Sequence, residues 1–195
     1  MYLCLDLSLK CSGWAKFTKN GRLAKKGKIS PDPKIDNCSK IHYIVNKIDF
    51  IGIDEVIIED VYYGKNFKSV MWLARLSGAA LYAWVGQKYK VPIFYNASRA
   101  RSLAGINGHS HKAEVQIFVL DKYKFTSKTK IEKYQKMVDE LKEEYKNKKI
   151  KRGSFKYKLN KISELILKET GYGENICDAI ILGLAYQEDK NGKSK

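Results

Sequence analysis

Residues 1–8 read MYLCLDLS, an apolar run broken by one carboxylate, and the way this stretch folds decides the architecture. Leu3, Leu5 and Leu7 alternate with Cys4 and Asp6, so an extended chain sends apolar side chains to both of its faces. A strand apolar on both faces is covered on both faces. Two further strands follow, CSGWAKFT at 11–18 and RLAKKGKIS at 22–30, the second entered through the Asn20-Gly21 turn signal. Three antiparallel strands are expected. Ile41, Ile44, Val45 and Ile48 then carry helical spacing over residues 36–50, and EVIIED at 55–60 reads as a short buried strand. A helix that hands over to a buried strand fits a crossover to a parallel position.

The rest of the chain alternates helix and strand. Phe67 to Tyr89 is the strongest helix, with Val70, Leu73, Ala74, Ser77, Leu81 and Trp84 on one stripe that is expected to cover the sheet. A second, nearly opposite stripe holds Trp72, Leu76, Ala79, Ala80 and Ala83, to be covered either by more of the same core or by a second subunit. VPIFYN at 91–96 predicts another strand. SRARSLAG and SHKAEVQIFVL predict two helical segments split by the turn at 105–108. From Asp121 to Arg152 twelve Lys or Arg face six Asp or Glu, with Tyr123, Phe125, Tyr134 and Tyr145 interleaved, and this is the least core-like region. A helix over 156–169 follows, then an almost wholly apolar one from Glu174 to Gln187. The expected organisation is one domain over 1–195, with a basic helical insertion at 121–170 and a flexible tail at 188–195.

Composition narrows the partner. A formal net charge of +16 and a pI near 9.6 concentrate polyanions near the surface, which favours nucleic acid. No apolar run approaches the roughly 18 residues of a membrane span, and the N-terminus lacks a signal-peptide layout. No membrane partner and a cytoplasmic location, in a bacterial cell or a phage-infected host, are therefore expected. Cys4, Cys11, Cys38 and Cys177 form no CxxC pair and no ligand spacing with the three histidines, so they read as small apolar residues.

Three acids stand where apolar residues would be expected. Asp6 lies inside the first strand. Glu59 and Asp60 end the IIED strand, and alternation lets only one of them share a face with Asp6. Asp178 is the lone charge among Ile176, Cys177, Ala179, Ile180 and Ile181, with Glu174 and Asn175 on the same helix face four and three residues before it. A buried carboxylate is normally paired, neutralised or bound to metal. Either each acid has a partner among the thirty-seven basic side chains or at a helix cap, or the three share divalent metal. Oxygen ligands without His or Cys suit magnesium or manganese, and two such ions clamp both sides of a phosphate displacement.

In their order along the chain, DLSLKCSGW, the carboxylate-ended IIED strand, VYYGKN leading into a long helix, and NICDAI on a final helix resemble the RuvC family of Holliday-junction endonucleases. The resemblance spans residues 2–120 and 174–187 and leaves the basic segment as an enlargement. It implies an α/β ribonuclease H-like fold: a mixed five-stranded sheet, three strands antiparallel and then parallel ones, with helices on both faces. It further implies that Asp6 bridges two magnesium ions, for which manganese can substitute, that Glu59 binds one ion, and that Asp178 binds the other with a neighbour on its helix. This chain carries Asn175 where many relatives have Asp or His. The ligand completing the site is therefore Glu174, the charged candidate, or Asn175, the aligned one. Lys112 matches a family lysine near the scissile phosphate. Tyr62 matches an aromatic that inserts at the junction, and Lys65 and Arg101 fall where DNA contacts are expected. Otherwise Tyr62 is a packed surface tyrosine and Lys112 and Arg101 are ordinary solvated charge. His109 and His111 are structural or exposed residues, or phosphate contacts.

The resemblance implies paired phosphodiester hydrolysis in branched DNA, four-way junctions first and then three-way junctions or forks. It also implies a two-fold homodimer through the helix at 67–89, because opposed nicks need two symmetric sites. The rival readings are a ribonuclease H-like nuclease or integrase with another substrate, and a branched-DNA-binding protein with a weak catalytic site. An actin-like ATPase would need two domains, for which 195 residues are too few.

Overall fold

A computed structural model of the chain describes residues 1–61 and 66–193. Strands β1 (Tyr2–Asp6), β2 (Ser12–Phe17) and β3 (Leu23–Ile29) form an antiparallel meander. Helix α1 (Asn37–Lys47) leads to β4 (Glu55–Glu59), which pairs in parallel with β1. Helix α2 (Phe67–Lys88) then returns the chain to β5 (Ile93–Tyr95), parallel to β4. The result is one five-stranded sheet in the order β3-β2-β1-β4-β5, the mixed sheet expected from the sequence.

Helices cover both faces, which explains why β1 and β4 carry apolar side chains on both faces. Leu3, Leu5, Val56 and Ile58 pack against Ile44 of α1 and Leu76, Ala80 and Trp84 of α2. Tyr2, Cys4, Phe17 and Ile57 meet the other layer: α3 (Ala97–Leu103), α4 (Lys112–Lys122) and α7 (Glu174–Lys193). Cys4 and Cys177 are both buried in that layer.

On α2 the buried side differs from the expected stripe. Leu76, Ser77, Ala80 and Trp84 are buried, whereas Ala74 is exposed and Val70, Leu73 and Leu81 are only partly covered. The seam thus runs between the two stripes, because bulky Trp84 and Leu76 fill the space over β1 and β4 and set the rotation of the helix.

The basic segment also differs. Helices α5 (Lys128–Lys146) and α6 (Arg152–Thr170) form a hairpin with a core of its own: Tyr134, Val138 and Leu141 pack on Leu159, Ile162 and Ile166, and Ala113, Ile117 and Leu120 of α4 close it. Tyr134, Val138 and Leu141 recur at helical spacing, a periodicity that the surrounding lysines and glutamates dilute.

The segment expected to fray continues α7 to Lys193. The Tyr95 hydroxyl donates to Asp189 at 2.7 Å, and Lys190 pairs with Glu55 at 3.2 Å, tying that end to β5 and β4.

Candidate acid-cluster site

Register brings the first two acids together. Cys4 pairs with Ile57 and Leu5 with Ile58, so Asp6 and Glu59 stand side by side one step further on, both on the α7 face. Asp60 points the other way and is exposed. Opposite Asp6 on β2 is Gly13, and a Cβ there would meet the Asn175 carbonyl oxygen at 1.9 Å. The glycine lets the first turn of α7 rest on the strand backbone beside Asp6. Further along, a Cβ on Gly183 would overlap the Phe17 ring at 2.2 Å, so small residues set the approach of α7 at two points.

That approach delivers Asp178, Asn175 and Glu174 to the strand pair. Asn175 comes up beside Asp6, its amide favouring the charged carboxylate, and Glu174 forms an ion pair with Lys112 at the start of α4. The Arg101 Nη2 donates to Asp178 Oδ1 at 3.1 Å while its Nη1 donates to the Ser110 carbonyl at 3.0 Å. Arg101 is 17% exposed and Asp178 14%, so this ion pair sits inside the site rather than on an open surface.

Electrostatics record the crowding. Burial, then the nearby charges of Glu59 and Asp178, push the Asp6 carboxyl well above the usual range, and the Asn175 amide opposes them. Glu59 is pushed up to about 7 by burial and by Asp178, with Arg101 pulling the other way. Burial raises Asp178 too, and Arg101 counteracts it. Four carboxylates (Asp6, Glu59, Asp178, Glu174) face two cations (Arg101, Lys112), which leaves two negative charges without a counterion. In donor chemistry and charge the cluster fits a divalent cation with hard oxygen ligands. As placed, no three Asp, Glu, His or Cys side chains among the described residues surround a single point at ligand distance, because Arg101 and Lys112 draw two of the acids aside.

Of the residues singled out from sequence, Asp6, Glu59, Asp178, Glu174, Asn175, Arg101 and Lys112 are brought together. Tyr62 and Lys65 lie outside the described residues. Arg101, expected as a DNA contact, pairs with Asp178 here. Asp178 and Glu174 have basic partners, whereas Asp6 and Glu59 have none among the described residues. His111 caps the start of α4, its backbone N–H donating to Glu114 at 2.7 Å, and burial holds its imidazole below the usual range.

Two residues were missed. Gly13 was legible as a glycine inside a strand pattern, a sign of close backbone approach. Gln116, fully buried in α4, donates to the Tyr172 carbonyl at 2.9 Å and the Ser163 carbonyl at 3.4 Å, bracing α4 against α6 and the entry to α7. Its signal was a polar residue in the apolar run AEVQIFVL.

Comparison with known proteins agrees with this fold. Two solved structures of Thermus thermophilus RuvC superpose on the chain. One, in complex with a Holliday junction substrate, has a TM-score of 0.57 and 11% identity over 98% of this chain and 94% of that one. The other has a TM-score of 0.54 and 15% identity over 98% and 96%. They establish the ribonuclease H-like fold. A crossover junction endodeoxyribonuclease RuvC from Halothermothrix orenii is 26% identical over 124 residues, 60% of this chain and 74% of that protein. The profile of the family described as crossover junction endodeoxyribonuclease RuvC matches residues 27–138, a stretch that holds Glu59, Arg101 and Lys112 and more than half of the chain. The chain belongs to the RuvC family of crossover junction endodeoxyribonucleases.

Proposed function

We propose that the chain resolves Holliday junctions and related branched DNA by metal-dependent hydrolysis of phosphodiesters in a pair of opposed strands. The observation that carries this reading is the convergence of Asp6, Glu59 and Asp178, from three separate elements, into one largely buried cluster with uncompensated negative charge, in a chain whose net charge is +16.

Asp6, Glu59 and Asp178, with Asn175 or Glu174, would hold two magnesium ions, for which manganese can substitute. When bound, such ions activate a water at the scissile phosphate and stabilise the leaving oxygen, giving a 5′-phosphate and a 3′-hydroxyl. The protein's own groups prepare the site. Asn175 lies beside Asp6 and favours its charged form, which supports it over Glu174 as the ligand there, since Glu174 is already engaged by Lys112. Arg101 fixes Asp178 and ties it to the Ser110 carbonyl ahead of α4. Lys112 is half exposed, so its ammonium can turn from Glu174 to an arriving phosphate.

Opposed nicks need two sites related by a two-fold axis, and α2 supports such a homodimer. Its open side carries Phe67, Met71, Ala74, Gly78 and Tyr82, a largely apolar stripe with Phe67 76% and Tyr82 81% exposed. Among the described residues no helix is long and apolar enough to cross a membrane.

The test is incubation of purified protein with synthetic four-way, three-way and linear DNA in magnesium, manganese or chelator. Paired nicks in the four-way substrate that vanish with chelator are expected. A second reading, binding of branched DNA without cutting, draws on the neutral Asn175 and on the two acids already paired with Arg101 and Lys112. Tight junction binding with no nicking in either metal would favour it.

A further inference from the structure

The hairpin carries charge in a pattern that the acid cluster does not account for. Between residues 128 and 144 five basic residues meet five acidic ones, whereas from 145 to 163 there are eight Lys or Arg and no Asp or Glu. The second stretch holds the loop at 147–151 and the first half of α6. It lies beyond residue 138, where the family match ends.

One side of α6 is committed to the core through Leu159, Ile162 and Ile166. Another side, with Asn160 and Ser163, lines a cleft of about 360 Å3 whose other walls include Lys28, Lys112, Gln116 and Glu174. The cleft therefore opens directly beside the acid cluster. Gln116, completely buried, has an Oε1 without a donor among the described residues.

Three and four residues before Asn160, on the same side of the helix, come Tyr157 and Lys156, and one turn earlier Arg152. All three are exposed, Tyr157 to 62%. Neither Arg152 nor Lys156 has an acidic partner among the described residues. The one acid on this side, Glu164, is answered by Lys161 at 2.7 Å.

The start of α6 is also electrostatically unfavourable by itself. Its cap residue is Lys151, which makes no side-chain capping bond, and its first turn holds no acid. Cations gathered at the positive end of a helix dipole cost stability unless an anion sits beside them.

We propose that this side of α6, with the loop at 147–151 ahead of it, is a track for the sugar-phosphate backbone of a duplex DNA arm leaving the acid cluster by way of the Lys28–Lys112 cleft. It rests on the junction-cutting function proposed above and adds a binding surface to it. Asn160 to Arg152 spans about 12 Å of helix, the rise of three to four base pairs. The track thus meets several consecutive phosphates and acts on the arm rather than at the crossover.

The experiment compares Arg152→Gln/Lys156→Gln with a control of equal charge, Lys128→Gln/Lys136→Gln on α5, by titrating four-way DNA with long or trimmed arms across a salt series. Circular dichroism confirms that both fold. The α6 variant is expected to lose about ten-fold in affinity for the long-armed junction and to flatten the plot of log affinity against log salt by up to about two units. The control keeps the parental slope, and trimming the arms removes the difference between parent and α6 variant. An α6 variant with parental affinity and slope, while the parent still nicks, overturns the track and leaves the function standing. A parent that neither prefers nor cuts branched DNA overturns the function and the track with it.

Discussion

Where β1, β4 and α7 meet, four carboxylates share a largely protected space with two cations, whereas on the hairpin eight basic residues between 145 and 163 stand at the surface with no acid among them. The same element of chemistry, charge of one sign, is handled in opposite ways. In the first region tertiary packing forces like charges together, and the strain shows as carboxyls pushed toward their neutral forms. In the second, water screens each cation, so no single one matters greatly and the field of the group does the attracting. Chemistry at a phosphate belongs to the first arrangement and capture of the polyanion to the second.

Four measurements can break or sharpen that contrast. The largest effect is expected for Asp6→Asn, which removes the central carboxylate while keeping its shape: nicking should disappear and junction affinity should stay. A variant that cuts at the parental rate takes Asp6 out of the chemistry. Next comes the hairpin core, where Ile166→Ala should lower stability by about 2–5 kcal/mol through the lost methyl groups and the cavity they leave. In thermal melts the loss should be clear, while the nicking rate at saturating DNA stays close to the parent's. A proportionate fall in that rate would show that the two regions are not separable.

Gly13→Ala probes the seam between α7 and the strands. Its Cβ would strike the Asn175 backbone, so α7 must shift, at a cost of about 1–3 kcal/mol. Nicking should fall further than the melting temperature suggests, since the shift moves Asn175 and Asp178 away from Asp6. The smallest effect concerns pH. Glu59 moves from a usual value of 4.5 to about 7, chiefly through burial. A carboxyl raised on folding contributes its full stability below its ordinary value and loses it as pH climbs through the folded one. In chelator the melting temperature should therefore drop between about pH 4.5 and pH 7. Magnesium should restore it at the upper end, and Glu59→Gln should flatten the profile. A parental curve that is level across this range contradicts the crowding of the acids.

Much of the fold was legible in the residues because local pattern and burial agree in its core. The apolar runs MYLCLDLS and EVIIED, the Asn20-Gly21 turn and the helical spacing of 67–89 correspond to β1, β4, the β2–β3 hairpin and α2. The acids stood out for the opposite reason: propensity alone would not have placed Asp6 or Asp178 among apolar neighbours. Where several faces of one helix are partly apolar, periodicity loses its power. On α2 the rotation that buries Leu76 and Ala80 in place of Ala74 depends on the shape of the sheet beneath. The hairpin core was hidden for a related reason, since Tyr134, Val138 and Leu141 acquire their meaning only opposite Leu159, Ile162 and Ile166.

By itself the sequence determined that Asp6 lies in an apolar strand, that Glu59 and Asp60 end another, that Asp178 sits on an apolar helix, and that the chain carries a strong positive field. Alternation, spacing and net charge are properties of the linear chain, so they can be read along it. Only the tertiary structure decided that Arg101 holds Asp178, that Lys112 engages Glu174, and that α7 runs on past Gln187 to anchor on Tyr95 and Glu55. Those outcomes depend on distances between residues far apart in the chain, set by how closely Gly13 and Gly183 let α7 approach the sheet.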